Sequence, residues 1–411
     1  MTLDSGTTSD LQFNPDDPAY NADPHPILRR FRAESPIHYW APARAYICFR
    51  HRDLAALIRD PRLVTDGTLG AGFSPEKRAS YPAYTMLRDN DLFMVSPTSH
   101  TRIRKLINPV FSPRNIDAHR PAIAAILGEI LRELPESGTI NASAQFARRY
   151  PVRVIAAVLG VPREHEADFV ALSDALIATL FPGLAREVFD SFMPALERGL
   201  QIVLQLIADA RAKPETADLM SMLIHARDAD DRLTEGELVS LVSGILVGGS
   251  DTTVHLTTYT LLTLLQHPDQ LAVLRADPSL TRSALDETLR FNSFGRGPGI
   301  VRFANEDFSY EGVDFKRGQP IFFNMMSAFR DEEFLPDADV YDIRRRIAAS
   351  PWFGYGAHFC LGASLARLEA ELAVQSFLAR YPRIELAGPI TYGTHPILRD
   401  IVDLPLHVGP A

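Results

Sequence analysis

Two cysteines, Cys48 and Cys360, are too few for a chain of 411 residues to rest on a disulfide framework or on a zinc site of four thiolates. Basic residues are also short: 42 Lys and Arg against 51 Asp and Glu leave a net charge of −9. That balance removes the electrostatic basis for binding nucleic acid. Long apolar runs are missing. The most apolar stretch, 238–249, is too short to span a bilayer and is interrupted by serine and glycine. The start, Met1-Thr2-Leu3-Asp4-Ser5-Gly6, lacks the basic segment and apolar core of a signal peptide. With 24 glycines and 30 prolines the chain is neither collagen-like nor of low complexity. Common catalytic motifs are absent as well: no His-Glu-x-x-His, no phosphate loop and no Gly-x-Ser-x-Gly. Gly354-Tyr355-Gly356 begins like a dinucleotide fingerprint, but Phe359 stands where its third glycine belongs. The expectation is a soluble cytoplasmic protein with no membrane and no nucleic-acid partner.

What is present is helical periodicity over most of the length, with no internal repeat and no polar linker. Residues 1–24 read as an irregular lead-in rich in Asp, Asn and Pro. Segments 37–40 and 45–49 read as a hairpin, followed by a short helix over 53–59. Residues 62–95 hold many turn formers and read as a long loop, usually a functional feature. Ser96 and Pro97 open a helix reaching Val110. Helices are expected over 114–133, 143–159, 163–180, 184–212 and 215–228. Thr234-Glu235-Gly236-Glu237 is a capping box for a helix that runs to Gln266, where His267-Pro268 stops it. At 1.5 Å per residue it spans about 48 Å, apolar on nearly every side, and so runs through the middle of the molecule. A helix over 280–292, strands near 300–303, 308–310 and 321–323, and a last helix over 362–380 complete a mainly α class with a small β portion. The reading is one domain over residues 1–411.

Phe353-Gly354-Tyr355-Gly356-Ala357-His358-Phe359-Cys360-Leu361-Gly362 stands directly before that last helix. Its glycines let a loop pass beneath something flat, and the loop delivers a thiolate where helix dipole and backbone N–H groups favour one. Cys360 by itself reads as a buried small hydrophobe. The spacing Phe-x-x-Gly-x-x-x-Cys-x-Gly, however, resembles the haem-binding signature of the cytochrome P450 family at every fixed position. Gly248-Gly249-Ser250-Asp251-Thr252 resembles the family's oxygen-groove segment, with Gly248 where alanine is more frequent. As a bare helix segment it reads instead as a threonine bonded back to its own turn. Glu287-Thr288-Leu289-Arg290 is similar to the family's Glu-x-x-Arg. Without that context it is a surface ion pair at i, i+3. His100 and Arg104, at i, i+4, would by spacing alone be a solvated basic helix face. Ser327-Ala328-Phe329-Arg330-Asp331 departs from the family by its phenylalanine.

The resemblance implies the cytochrome P450 fold, with a long central helix crossing above the haem, and a haem b held by Cys360. It implies haem propionate donors at His100, Arg104, Arg302 and His358, and proton delivery by Asp251 and Thr252. Glu287 and Arg290 would bond Arg344 in a structural network that holds the cysteine loop. The reaction implied is insertion of one atom of O2 into a C–H or C=C bond of a hydrophobic small molecule. Electrons would come from a ferredoxin and ferredoxin reductase docking near Arg102 and Lys105, and the enzyme would be a bacterial-type monomer. Stretches 104–109, 284–287 and 301–304 resemble members of the family that epoxidise the macrolide epothilone. The expected substrate pocket is Phe93, Met94, Gly248, Ile300 and Ile397, with the 180–192 region. Glycines at 248, 295, 297 and 299 would widen it for a polyketide or macrolide-like secondary metabolite; the alternative is a fatty acid or terpenoid. A peroxide-driven P450 and a non-catalytic recruitment domain are further alternatives, opposed by Asp251-Thr252 and by Cys360 respectively.

Overall fold

The computed structural model describes residues 11–65, 79–80, 82–92, 95–179, 186–228, 230–346, 351–393 and 398–410. Five helices recur below: α1 (Pro97–Ile107), α2 (Tyr150–Val158), α3 (Glu166–Thr179), α4 (Glu235–Gln266) and α5 (Ala363–Arg380). Helix α4 is the long one. Thr234 Oγ1 accepts from Glu237 N while the Glu237 carboxylate accepts from Thr234 N, so the capping box closes in both directions. Its far end stops at Gln266, before His267 and Pro268. Along most of its length every side is buried, as its apolar composition requires. One strip differs. Gly244, Gly248 and Thr252, four residues apart and therefore on one face, are exposed.

The chain forms two compact units, each assembled from separated segments. The first comprises 1–72, 286–356 and 393–400. Its five-stranded sheet runs, in spatial order, Ile37–Trp40, Ala45–Cys48, Pro320–Phe323, Ile300–Ala304 and Leu63–Val64. Only the pairing of Ala45–Cys48 with Pro320–Phe323 is parallel. Leu54, Leu57, Phe315, Ile321, Phe323 and Phe329 pack one core beneath it. The second unit comprises 73–285, 357–392 and 401–411 and holds all five labelled helices. It also holds an antiparallel sheet of Arg383–Leu386, Pro405–Gly409 and Gly138–Asn141.

Several local expectations change. The lead-in contains a helix, Pro18–Ala22, because Asp17 caps it and Pro18 suits its first turn. The 62–95 stretch is not all loop: Pro82–Asp89 is helical, with Tyr84 and Leu87 buried three residues apart. The 114–133 segment is two helices, Pro113–Asp117 and Arg120–Glu133. The 143–159 segment is a π-helical turn, Ser143–Ala147, followed by α2. In both, a proline near the start of the second helix marks the break.

Glu287 and Arg290 are an internal pair, buried to 2% and 0% exposure. Arg290 donates from Nε and Nη2 to the Glu287 carboxylate at 2.7 and 2.8 Å. Its other N–H groups reach the carbonyls of Phe329, Ala338 and Val340, so all five donors are used. The second arginine on Glu287 is Arg345, whose Nε donates to Oε1 at 3.2 Å, and not Arg344, which is exposed. A turn at Asp342, whose N–H donates to Glu287, brings Arg345 round instead of its neighbour. Gly299 also changes meaning. At φ 107° it holds a conformation closed to other residues, and a Cβ would collide with the Phe323 carbonyl. It is glycine for backbone reasons and not to widen a pocket.

Replacing Glu287 by alanine strands a buried guanidinium and is expected to cost about 3–5 kcal/mol. Arg345→Ala should cost about 1–3 kcal/mol, and Arg344→Ala should stay within about 0.5 kcal/mol. Denaturant midpoints of the three variants check this ranking; a greater loss at Arg344 than at Arg345 reverses the assignment.

Candidate active site

The cysteine loop is built from two short helical turns, Pro351–Phe353 and Gly356–His358, with Gly354 and Gly356 at positive φ. Those angles need glycine, which explains both positions of the motif. Upstream, Trp352 Nε1 donates to Asp286 at 3.3 Å and its ring meets Phe329 edge-on, both within the first unit. Downstream, Cys360 precedes α5 and is exposed to solvent on one side while protein surrounds it on the others. Burial pushes its thiol up; the Gly362 N–H and the guanidinium groups of Arg104 and Arg367 pull it back down. A helix amino terminus and two cations therefore face this sulfur.

Helix α1 presents His100 and Arg104 to that loop. The His100 and His358 rings lie 4.1 Å apart, and Arg104 Nη2 donates to the Phe359 carbonyl at 3.0 Å. Burial and the neighbouring Arg104 lower the His100 pKa, so its imidazole is neutral here. Arg104 Nε is buried with no partner, and no carboxylate pairs with this guanidinium among the described residues. Burial lowers its pKa, opposed by Cys360. Arg302, on Ile300–Ala304 in the first unit, repeats the pattern: among the described residues it donates only to the Val301 carbonyl, and burial lowers its pKa. Arg102 behaves differently. It bonds Asp231 and Glu237, so its charge is matched internally and it does not offer the docking cation expected of it.

On α4, Thr252 Oγ1 donates to the Gly248 carbonyl at 2.5 Å, yet the residue is exposed on the open strip. The back-bonded threonine and a threonine facing open space are thus the same residue. A Cβ at Gly248 would meet nothing within 4 Å, whereas one at Gly249 would strike Ile155 of α2. Asp251 has a neighbour the sequence did not signal: Asp174 of α3, whose carboxyl is raised by burial and by the Asp251 charge and lowered by Arg148. Arg367 was also missed; it lies in the second turn of α5, the helix that directly follows Cys360. Ile300 lies exposed on its strand in the first unit. Phe93, Met94 and Ile397 lie outside the described residues, as do residues 180–185, while 186–192 belong to the helix Arg186–Arg211.

A sequence profile described as "Cytochrome P450" matches residues 67–386, most of the chain. The chain belongs to the cytochrome P450 family. The P450 "Epothilone C/D epoxidase" of Sorangium cellulosum is 35% identical over 410 residues, covering 99% of this chain and 97% of that protein. "Vitamin D(3) 25-hydroxylase" of Pseudonocardia autotrophica is 33% identical over 394 residues, covering 94% of each. A crystal structure of an epothilone D-bound P450 superposes with a TM-score of 0.91 at 35% identity, covering 97% of this chain and all of that one. The fold is therefore that of the P450s, and this member is an oxidoreductase enzyme. No helix among the described residues is long and apolar enough to cross a membrane.

The family implies a haem, and the residues present fit one. A single thiol faces a helix amino terminus, and beside it Arg104 is a half-buried cation with no acid partner among the described residues, suited to a porphyrin carboxylate. In haem-free protein, iodoacetamide should label Cys360 and spare Cys48, which is fully buried with its thiol pushed up. Arg104→Gln should slow labelling of Cys360 several-fold at neutral pH, because losing the cation raises the thiol further. Equal or faster labelling, read by mass spectrometry, would mean that charge does not govern this sulfur.

Proposed function

We propose that this P450 is a haem b monooxygenase that inserts one oxygen atom from O2 into a C–H or C=C bond of a bulky hydrophobic molecule of polyketide or macrolide type. The observation that carries the substrate class is the open strip of α4: Gly244 and Gly248 leave its backbone bare where a large ligand could lie, beside exposed Thr252. The epoxidase of epothilone among the relatives supports the same reading. A secosteroid is the competing class, favoured by the vitamin D3 hydroxylase at nearly equal identity.

Cys360 would hold the haem iron, and Arg104, Arg302, His100 and His358 its propionates. The bound haem supplies the activation of O2. The rest of the work falls to side chains. Neutral His100 offers one N–H without adding charge, and the two arginines neutralise carboxylates that would otherwise be buried unpaired. Thr252 holds its hydroxyl toward the strip by bonding the Gly248 carbonyl, leaving its oxygen free to accept from a water. Asp251, one residue earlier, is the acid that would resupply protons. A ferredoxin, itself reduced by its reductase, would deliver electrons on the cysteine side.

A panel of ligands read by the low-spin to high-spin shift tests this. A macrolide-sized ligand should give the largest shift, ahead of secosteroids, fatty acids and small terpenes. Gly248→Val, for which the structure has room, should weaken the macrolide about 10-fold or more while the small terpene binds as before. A terpene that binds tightest defeats the large-ligand reading. Cys360→Ala should lose the red-shifted Soret band of the reduced carbon monoxide complex; a retained band removes Cys360 as the ligand. Thr252→Ala should still bind ligand and accept electrons while diverting them to hydrogen peroxide, and unchanged coupling would remove Thr252 from proton delivery.

A further inference from the structure

Tyr20, on the helix Pro18–Ala22, is 1% exposed, yet its hydroxyl has no hydrogen-bond partner among the described residues. His25 opens the helix His25–Glu34 with a buried Nδ1 in the same condition. Two turns later Arg32, 8% exposed, has an unpartnered Nε. Native cores rarely leave such atoms unbonded, because each costs free energy. The three belong to one cluster in the first unit. Arg32 Nη1 donates to the Ser327 carbonyl and hydroxyl, and Ser327 N donates to Asn324 Oδ1. Burial pushes the Tyr20 phenol up to about 12, and the Asn324 amide and Arg399 beside it oppose that rise. Arg399, which donates to the Asn21 and Ala22 carbonyls, also acts on His25. The charge around the cluster is positive. Glu332 is shared by Arg29 and Arg32, and Asp339 by Arg29 and Arg330, so two carboxylates serve three guanidinium groups. Asp23 accepts the His25 backbone N–H and acts on Arg330 at longer range. Burial first, and then the charges of Arg330, Arg399, Arg32 and Arg29, lower the pKa of the His25 imidazole and hold it neutral.

We propose that Tyr20, His25 and Arg32, surrounded by Arg330 and Arg399, form a buried site for one small monovalent inorganic anion of chloride's size, which clamps the lead-in against the 324–330 segment. What the cluster lacks is an acceptor. Arg32 Nε can only donate, the protonated phenol has a hydrogen to give, and a neutral imidazole donates from Nδ1 in one of its two tautomers. A water would bring two hydrogens of its own that need acceptors, whereas an anion brings none and meets a positive surplus. The site does not depend on the substrate class or on the monooxygenase reading.

Crystals of the holoenzyme soaked in bromide, which replaces chloride and scatters anomalously, read the site directly. An anomalous peak is expected within hydrogen-bonding distance of Tyr20 Oη and Arg32 Nε. A water there with no anomalous signal, or bromide only at other positions, overturns the proposal. In solution, a ligand of the native state raises stability by mass action. The Tm of the wild-type holoenzyme should therefore rise as chloride replaces gluconate at constant ionic strength. Tyr20→Phe removes the hydroxyl and keeps the ring against Phe13. It should move the chloride response to about 10-fold higher concentration or more, as loss of a hydrogen bond to a charged group requires. A wild-type Tm indifferent to chloride, or the same response in Tyr20→Phe, overturns the proposal.

Discussion

A guanidinium removed entirely from water must find a partner for each of its N–H groups, and Arg290 meets that constraint with nothing to spare. The carboxylate of Glu287 takes two of its donors and three backbone carbonyls between 329 and 340 take the rest. Glu287 in turn receives the Asp342 N–H and Arg345. Breaking any member leaves a buried charge uncompensated, which is far more costly than the pair is stabilising. The helix that carries Glu287 also carries Asp286, which holds Trp352 at the root of the cysteine loop. The loop's starting point is thereby tied to an ion network that admits one arrangement.

Around the sulfur the balance is reversed. Arg104 is a half-buried cation with an orphaned Nε and no acid partner among the described residues. Other arginines have acids: Arg102 pairs with Asp231 and Glu237, Arg330 with Asp339, and Arg32 with Glu332. Arg275 also lacks an acid among the described residues, but backbone carbonyls take its donors, whereas the unmatched Arg104 lies against the cysteine loop. That unmatched charge is what a cofactor bearing two carboxylates would complete.

Helix α4 combines both economies. Most of its hydroxyls turn inward onto their own carbonyls, as at Ser250, Thr258, Thr260 and Thr263. Such bonds satisfy a polar group inside an apolar core without a tertiary partner. Thr252 uses the same bond but on an exposed strip, and Thr253 forgoes it. Thr252 therefore keeps the rule while facing open space one turn from Gly248, whereas Ser240 and Thr257 bond other segments and Ser243 and Thr253 are left unpartnered.

The capping box, the closing His267-Pro268, the glycines of the cysteine loop and the i, i+3 spacing of Glu287 and Arg290 are local, so the amino-acid order alone determined them. Cys360 stood out in the sequence because a glycine-bounded turn before a helix is written in consecutive residues. The tertiary structure decided whatever depends on segments far apart in the chain. The sheet joining Arg383–Leu386 and Pro405–Gly409 to Gly138–Asn141 left no readable period, since its strands are short and their partners remote. Arg345 could be told from Arg344 only by the turn at Asp342, because adjacent arginines are equivalent until the backbone aims them. Gly299 looked like spare room until the Phe323 carbonyl was found against it. Arg32 reads in sequence as one more charge on a helix; its burial against Ser327 and Glu332, far along the chain, is set by tertiary packing, and burial is what takes its Nε out of water.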